Sequence, residues 1–141
     1  MDHHQGSEEH QPGEEYHDTE LFDKQAGVMD SFRAFRATLA AADIEDAVVP
    51  IVASSQMAAR HWNTRLGMVF IDGGHSQIAA HTDYRCWAPW IQPGGYLAIH
   101  DVFPNPDDGG RAPFEIYQLA QASGMFEVKA MTKTLGVLLK L

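Results

Sequence analysis

Two short apolar stretches of the sequence each end in an acid and an imidazole. In the stretch VFIDGGHS, three apolar residues are followed by Asp72 and His75. In the stretch LAIHDVF, three apolar residues are followed by His100 and Asp101. Carboxylates and imidazoles are the side chains that most often move protons in enzymes, and both can also hold metal ions. An aspartate after a strand often only caps the next turn. Two such sets in one chain favour a functional site over two independent caps.

The elements that would position these residues alternate along the chain. Short, apolar and β-branched runs predict buried strands at Ala47–Ala53, Val69–Asp72 and Tyr96–His100, and helical patterns separate them. We therefore expect the three to be adjacent parallel strands in an α/β fold, with helices on both faces of the sheet. The last two runs, FEVKAMT and TLGVLLKL, are so close in sequence that they predict an antiparallel pair.

In open parallel sheets, ligands bind beyond the carboxyl ends of the strands. Both acid–imidazole sets are predicted to lie there, and so are Ser55 and Gln56 after the first predicted strand. Gly73 and Gly74 would let the chain turn sharply and would leave room for a ligand near the backbone.

The charge of the chain is concentrated at its start. Residues 1–30 hold nine acids and one lysine, a net of −8, whereas residues 31–141 hold ten acids and nine basic residues, a net of −1. We interpret 1–30 as an acidic, loop-like segment with solvated histidines and 31–141 as the folded domain. The absence of a basic stripe argues against nucleic acid as a partner, and the absence of a long apolar run argues against a membrane. One cysteine and no leader-like start predict a cytoplasmic protein.

Three segments carry a resemblance to a known family. FIDGGHS, CWAPWIQPGG and LAIHDVF resemble class I S-adenosylmethionine-dependent methyltransferases, in particular the branch of macrocin-type O-methyltransferases. The resemblance implies a Rossmann-like, mostly parallel sheet whose last strand is antiparallel. It also implies transfer of a methyl group from S-adenosylmethionine to a small-molecule acceptor, with an oxygen as the expected target.

The resemblance implies a donor-binding role for five residues. Asp2 resembles the acid that holds the ribose hydroxyls, and Ser55 and Gln56 resemble the pair that borders the adenine. Asp72 resembles the acid near the methionine end of the donor, and Gly73 follows it directly.

The remaining roles concern catalysis and metal. His75 is expected to act as a base or to orient the acceptor, and Asp101 to act with it. Asp72, His100 and Asp101 occupy the positions where metal-dependent members of the family hold Mg²⁺.

The sequence departs from the family pattern at its start. A first strand and a glycine-rich loop should precede Asp2, and no G-x-G occurs in the sequence, so we expect an N-terminally incomplete domain. The alternative function is a non-catalytic, truncated methyltransferase remnant that acts, if at all, through self-association into a homo-oligomer. A hydrolase or other metalloenzyme built on the same acids and imidazoles is a third interpretation, but no G-x-S-x-G turn supports a serine hydrolase.

This departure generates a prediction about donor binding. Without the glycine-rich loop, two or three charge-assisted hydrogen bonds to the donor are missing, each of about 1.5–3 kcal/mol. We expect the 141-residue chain to bind S-adenosylmethionine about a hundredfold or more weaker than a chain extended by an upstream strand and loop. A calorimetric titration of both chains measures this, and micromolar binding by the shorter chain would show that the loop is dispensable.

Overall fold

The structure is a computed structural model that describes residues 1–14, 16–108 and 110–141. The chain forms two compact units, Met1–Ala58 and Ala59–Leu141. In the described parts of the chain, none of the helices combines the length and the apolarity needed to span a membrane.

The first unit contains two short strands and two helices. Strands β1 (Phe22–Asp23) and β2 (Val28–Met29) form a small antiparallel hairpin, and they are followed by helices α1 (Phe32–Ala41) and α2 (Ser55–Ala59). A single 3₁₀ turn at Glu8–His10 precedes them. Phe32, Phe35 and Leu39 have the spacing of one helical face, and Leu39 is the residue of α1 that is buried.

One of the N-terminal histidines contradicts the expectation that all four are solvated. His4 is only 8% exposed, and its Nδ1 lies 2.9 Å from Ser31 Oγ. Its ring packs against Phe32 and Phe35, with centroids 5.0 and 5.3 Å apart. The prediction was wrong for His4 because an imidazole with a hydroxyl partner can be buried on an aromatic surface.

The predicted strand at Ala47–Ala53 is also wrong. The structure has only an isolated parallel bridge there, between Val52 and Asp2. Pro50 has no N–H to donate to a sheet ladder, which weakens a strand at its centre. Val49 and Val52 are 84% and 51% exposed, so the apolar pattern does not reflect burial.

The second unit contains a four-stranded sheet. Its strands are β3 (Leu66–Ile71), β4 (Ile91–Ile99), β5 (Phe126–Thr132) and β6 (Leu135–Lys140), in the order β3-β4-β6-β5. β3 and β4 are parallel, and β6 runs antiparallel to both β4 and β5. Three strands therefore share one direction and the last strand is reversed, which confirms the predicted α/β class and the antiparallel closing pair.

Two helices cover one face of this sheet. α3 (Gln77–Trp87) and α4 (Ala112–Ala122) pack on the face that carries Ile71, Leu97, Ile99 and Leu138. The last three of these side chains are fully buried. Burying such a side chain contributes about 1.5–3 kcal/mol to stability. This layer of side chains therefore holds β3 and β4 in place, together with the residues that follow their carboxyl ends.

An irregularity lies inside β4 at Pro93–Gly95. Ile91 faces Leu66, but the next aligned pair is Tyr96 with Met68. A Cβ on Gly95 would lie 2.8 Å from the carbonyl oxygen of Gly67. The extra residues of β4 therefore bulge out of the ladder, at a point where the backbones of β3 and β4 approach closely.

The surroundings of Cys86 in α3 disfavour the reactive thiolate form of its side chain. Burial raises the pKa of the Cys86 thiol, and the negative charge of Asp83 raises it further. Because the thiolate is the nucleophilic form, a raised pKa disfavours a catalytic role.

The packing of β6 on α4 generates a stability prediction. A Cβ on Gly136 would lie 2.7 Å from Cε2 of Tyr117, whose ring is buried. We expect Gly136→Ala to lower the free energy of unfolding by about 1–3 kcal/mol through overpacking. Gly67→Ala, at a strand glycine with open space around it, is the matched control. Urea denaturation compares the two, and equal midpoints would show that the Tyr117 ring yields at no cost.

Candidate functional site

The carboxyl ends of β3 and β4 bring three ionisable residues side by side. Ile71 aligns with Ile99 in the parallel ladder, so Asp72 on one strand and His100 and Asp101 on the other leave the sheet together. The backbone N–H of His100 donates to the carbonyl of Ile71, at 3.0 Å. This bond extends the ladder by one step and fixes the spacing of the side chains that follow.

The four side chains of the two predicted sets form one continuous chain of contacts. His100 Nδ1 lies 3.1 Å from Asp72 Oδ1 and 3.2 Å from Asp101 Oδ1. His75 Nε2 lies 3.0 Å from the other oxygen, Asp101 Oδ2. We call Asp72, His75, His100 and Asp101 the acid–imidazole cluster.

The cluster is open to solvent. The side chains of Asp72 and His100 are 49% and 42% exposed, and those of His75 and Asp101 are 33% and 22% exposed. Ion pairs at such exposure contribute little to stability. The contacts within the cluster therefore add little to the stability of the fold.

Asp101 has an unusual backbone conformation. Its φ is +54°, in the left-handed region that aspartate visits more readily than most residues. The next residue is anchored, because the N–H of Val102 donates to the carbonyl of Thr134 at 2.9 Å. The strained conformation is thus held by the turn between β5 and β6. Strain of this kind is concentrated at functional sites.

The turn from β3 into α3 supplies the other half of the cluster. Ser76 caps α3, with its Oγ accepting from the N–H of Ala79 at 3.2 Å. His75 immediately precedes the cap, and Gly73 and Gly74 separate it from Asp72. The cap therefore fixes the position of His75 directly before the start of α3.

A small cavity of about 10 Å³ lies against the cluster. Asp72, His75 and His100 line it on the polar side, and Ala80 and Ile116 line it on the apolar side. Its size suits about one water molecule.

The other predicted site residues lie in the first unit. Asp2 Oδ1 accepts from the N–H of His4 at 2.8 Å, and the Asp2 backbone bonds to Ile51 and Ala53. Ser55 is buried at the start of α2, and Gln56 is exposed. Their donor-binding roles stay predictions.

A larger cavity of about 480 Å³ occurs within that unit. Its lining includes His3, Gln11, Met29, Ser54 and Met57. Asp2, Ser55 and Gln56 are not among the residues that line it, but their neighbours in sequence are. The unit thus offers a cavity beside the residues that the sequence singles out.

Two residues near the cluster were not singled out from the sequence, Thr134 and Asp83. Thr134 anchors Val102 through a backbone carbonyl, for which no sequence signal exists. Asp83 lies on the same face of α3 as the buried Ala80, Tyr84 and Trp87. A carboxylate on an apolar helical stripe is a signal that could have drawn attention to it.

A comparison with known protein families finds a match. A family model described as "Methyltransferase domain" matches residues 1–102 of the 141. The matched region includes both acid–imidazole sets and all five residues assigned to the donor. The branch within the methyltransferases stays a prediction.

Proposed function

This chain belongs to the methyltransferase-domain family, and from that premise we propose that its acceptor is a hydroxyl group of a small molecule. The family assignment implies S-adenosylmethionine as the methyl donor. The identity of the acceptor atom follows from the chemistry of the cluster.

Methyl transfer to a hydroxyl needs a base. The acceptor oxygen forms a bond to the methyl carbon while the bond between that carbon and the sulfonium sulfur breaks, and the electron pair of that bond stays on sulfur. The hydroxyl proton must leave at the same time or before. An amine can attack through its lone pair and lose its proton later, so a positioned base favours an oxygen acceptor.

His75 is the residue best placed to be that base. Its Nε2 is 3.0 Å from Asp101 Oδ2, and an ionised carboxylate can only accept a hydrogen bond. In the neutral imidazole Nε2 therefore carries the proton, and Nδ1 keeps its lone pair for the acceptor. Asp101 fixes this tautomer and stabilises the imidazolium that forms. The His75–Asp101 pair is the observation that carries the proposal.

The charge distribution supports a small acceptor. Residues 59–141 contain seven acidic and seven basic residues, so this unit has no cationic excess to hold a polyanion. The roles of Asp72 and Gly73 at the methionine end of the donor remain part of the proposal.

We further propose that a divalent cation can bind between Asp72 and Asp101. Atoms of Asp72, His100 and Asp101 that could act as ligands lie within 4.8 Å of one another. Two carboxylates and one imidazole fit a divalent ion, but the imidazole suits Mn²⁺ or a later transition metal better than Mg²⁺. When bound, such an ion would stabilise negative charge on the acceptor oxygen.

The role of His75 can be tested by substitution. We expect His75→Ala to lower the methyl-transfer rate by about 10²–10⁴-fold, since a general base is lost. Asp101→Asn should also lower the rate, because an amide can favour the wrong tautomer of His75. The measurement is transfer of labelled methyl from S-adenosylmethionine to a panel of hydroxylated acceptors.

His61→Ala is the matched control for that experiment, since His61 is an exposed histidine outside the cluster. A His75→Ala variant that keeps its rate within about threefold of the control would exclude His75 as the base.

The cation proposal has its own test. Calorimetric titration with Mn²⁺ and with Mg²⁺ should show binding of Mn²⁺ that is lost in Asp72→Ala, because one of two carboxylate ligands is removed. Glu127→Ala removes an exposed carboxylate far along the chain in β5 and is the control. Unchanged binding in Asp72→Ala would place any cation elsewhere.

A further inference from the structure

We propose that Asp83 is a positioning residue that holds the Asp72–His75 turn, an inference that rests on the proposed function of the acid–imidazole cluster. Asp83 belongs to α3 and has no place among the residues assigned to donor, acceptor or metal. Its position is unusual in two independent ways.

The first observation is the face of the helix on which Asp83 lies. Asp83 follows Ala80 by three residues and precedes Trp87 by four, and Tyr84 is its direct neighbour. Ala80, Tyr84 and Trp87 are 2%, 7% and 7% exposed and form the core-facing side of α3. Asp83 itself is partly buried. A carboxylate at such a position costs free energy unless polar groups compensate it.

The second observation is what the carboxylate touches. A Cβ on Gly73 would lie 2.8 Å from Asp83 Oδ2. The carboxylate therefore occupies the space that any side chain at position 73 would need. Gly73 is not among the glycines with positive φ, so its backbone dihedral does not require glycine, but a Cβ there would displace the Asp83 carboxylate from its position.

The turn needs such a support because its centre has no side chains. Asp72 at one end contacts His100, and His75 at the other end bonds to Asp101. Gly73 and Gly74 between them have the largest backbone freedom of any residue type. A carboxylate packed against Gly73 restricts that freedom from the helix side.

The consequence for function is geometric. If the turn moves, Asp72 and His75 move relative to each other. Asp72 is assigned to the methyl donor and His75 to the methyl acceptor, so their relative position affects the reaction. A displacement of about 1 Å in a catalytic group can cost about a hundredfold in rate. Supporting residues of this kind typically change affinity or activity by about 10–100-fold when removed.

The decisive experiment measures the turn itself, without donor or acceptor. Backbone ¹⁵N relaxation gives order parameters for Gly73, Gly74 and the β4 residues Leu97–Ile99. In Asp83→Ala we expect the glycine values to fall from about 0.85 to below about 0.6, while the β4 values stay unchanged. Asp83→Asn, which keeps an oxygen against Gly73, should retain most of the rigidity. Arg85→Ala, an exposed change on the same helix, is the control.

A steric test complements the measurement of mobility. Gly73→Ala alone forces a Cβ against the carboxylate and should lower the denaturation midpoint. In an Asp83→Ala background the same Cβ has room, so the two changes should be strongly non-additive. Additive effects would show that the carboxylate does not pack on Gly73 and would overturn the inference.

The remaining outcomes separate this inference from the proposed function. Unchanged order parameters in Asp83→Ala, or an equal loss in the turn and in β4, would assign Asp83 to general packing and overturn the positioning role. A methyl-transfer rate that stays unchanged in Asp83→Ala would also overturn it. Loss of rigidity confined to the turn, in a protein for which no acceptor is methylated, would support the role of Asp83 and count against the proposed function.

Discussion

The hydrogen bond from the His100 N–H to the Ile71 carbonyl is the interaction on which the site depends. It continues the parallel pairing of β3 and β4 one step beyond the last aligned pair, Ile71 and Ile99. Because side chains alternate across a strand, a slip of one residue would turn the apolar set of β3 away from α3 and α4 and separate Asp72 from His100. The register that buries the core is therefore also the register that assembles the cluster.

The cluster is held from three directions. The sheet fixes Asp72 and His100, the cap of α3 fixes the residue after His75, and the turn between β5 and β6 fixes Val102 beside Asp101. Each support lies in a different part of the sequence, which explains how a solvent-exposed set of polar side chains can keep a defined geometry. The chain changes direction at Asp101, between these supports, and the left-handed backbone conformation of Asp101 accommodates that change.

Sequence patterns predict this unit well and the first unit poorly, for physical reasons. The strands β3 and β4 are buried on one face, so their composition predicts their position in the fold, although they begin at Leu66 and Ile91, three and five residues before the predicted starts. The stretch at Ala47–Ala53 has the same composition but is exposed, and Pro50 interrupts its hydrogen bonding. The burial of His4 depends on contacts with Ser31 and Phe32 that no local pattern encodes.

The same reasoning explains which parts of the site could be predicted. Asp72, His75, His100 and Asp101 follow apolar strands, so topology alone places them at one edge of the sheet. Their pairing, with His100 between two carboxylates and His75 on the outer oxygen of Asp101, depends on the backbone conformation of Asp101 and on rotamers. A Cβ on Gly73 would lie 2.8 Å from Asp83 Oδ2, and no local sequence pattern encodes this proximity between residues ten positions apart.

The charge of the cluster has a consequence for the reaction cycle under the proposed function. Asp72 and Asp101 both lie within 3.2 Å of His100 Nδ1, which can share only one proton between them. Two carboxylates this close together create a negative potential that attracts cations. The methyl donor carries a positive sulfonium, whereas the thioether product is neutral. A cluster with excess negative charge favours the cationic donor over the neutral product, since electrostatic attraction acts on one and not on the other. The same carboxylates that orient the imidazoles would thus help the product to leave after methyl transfer.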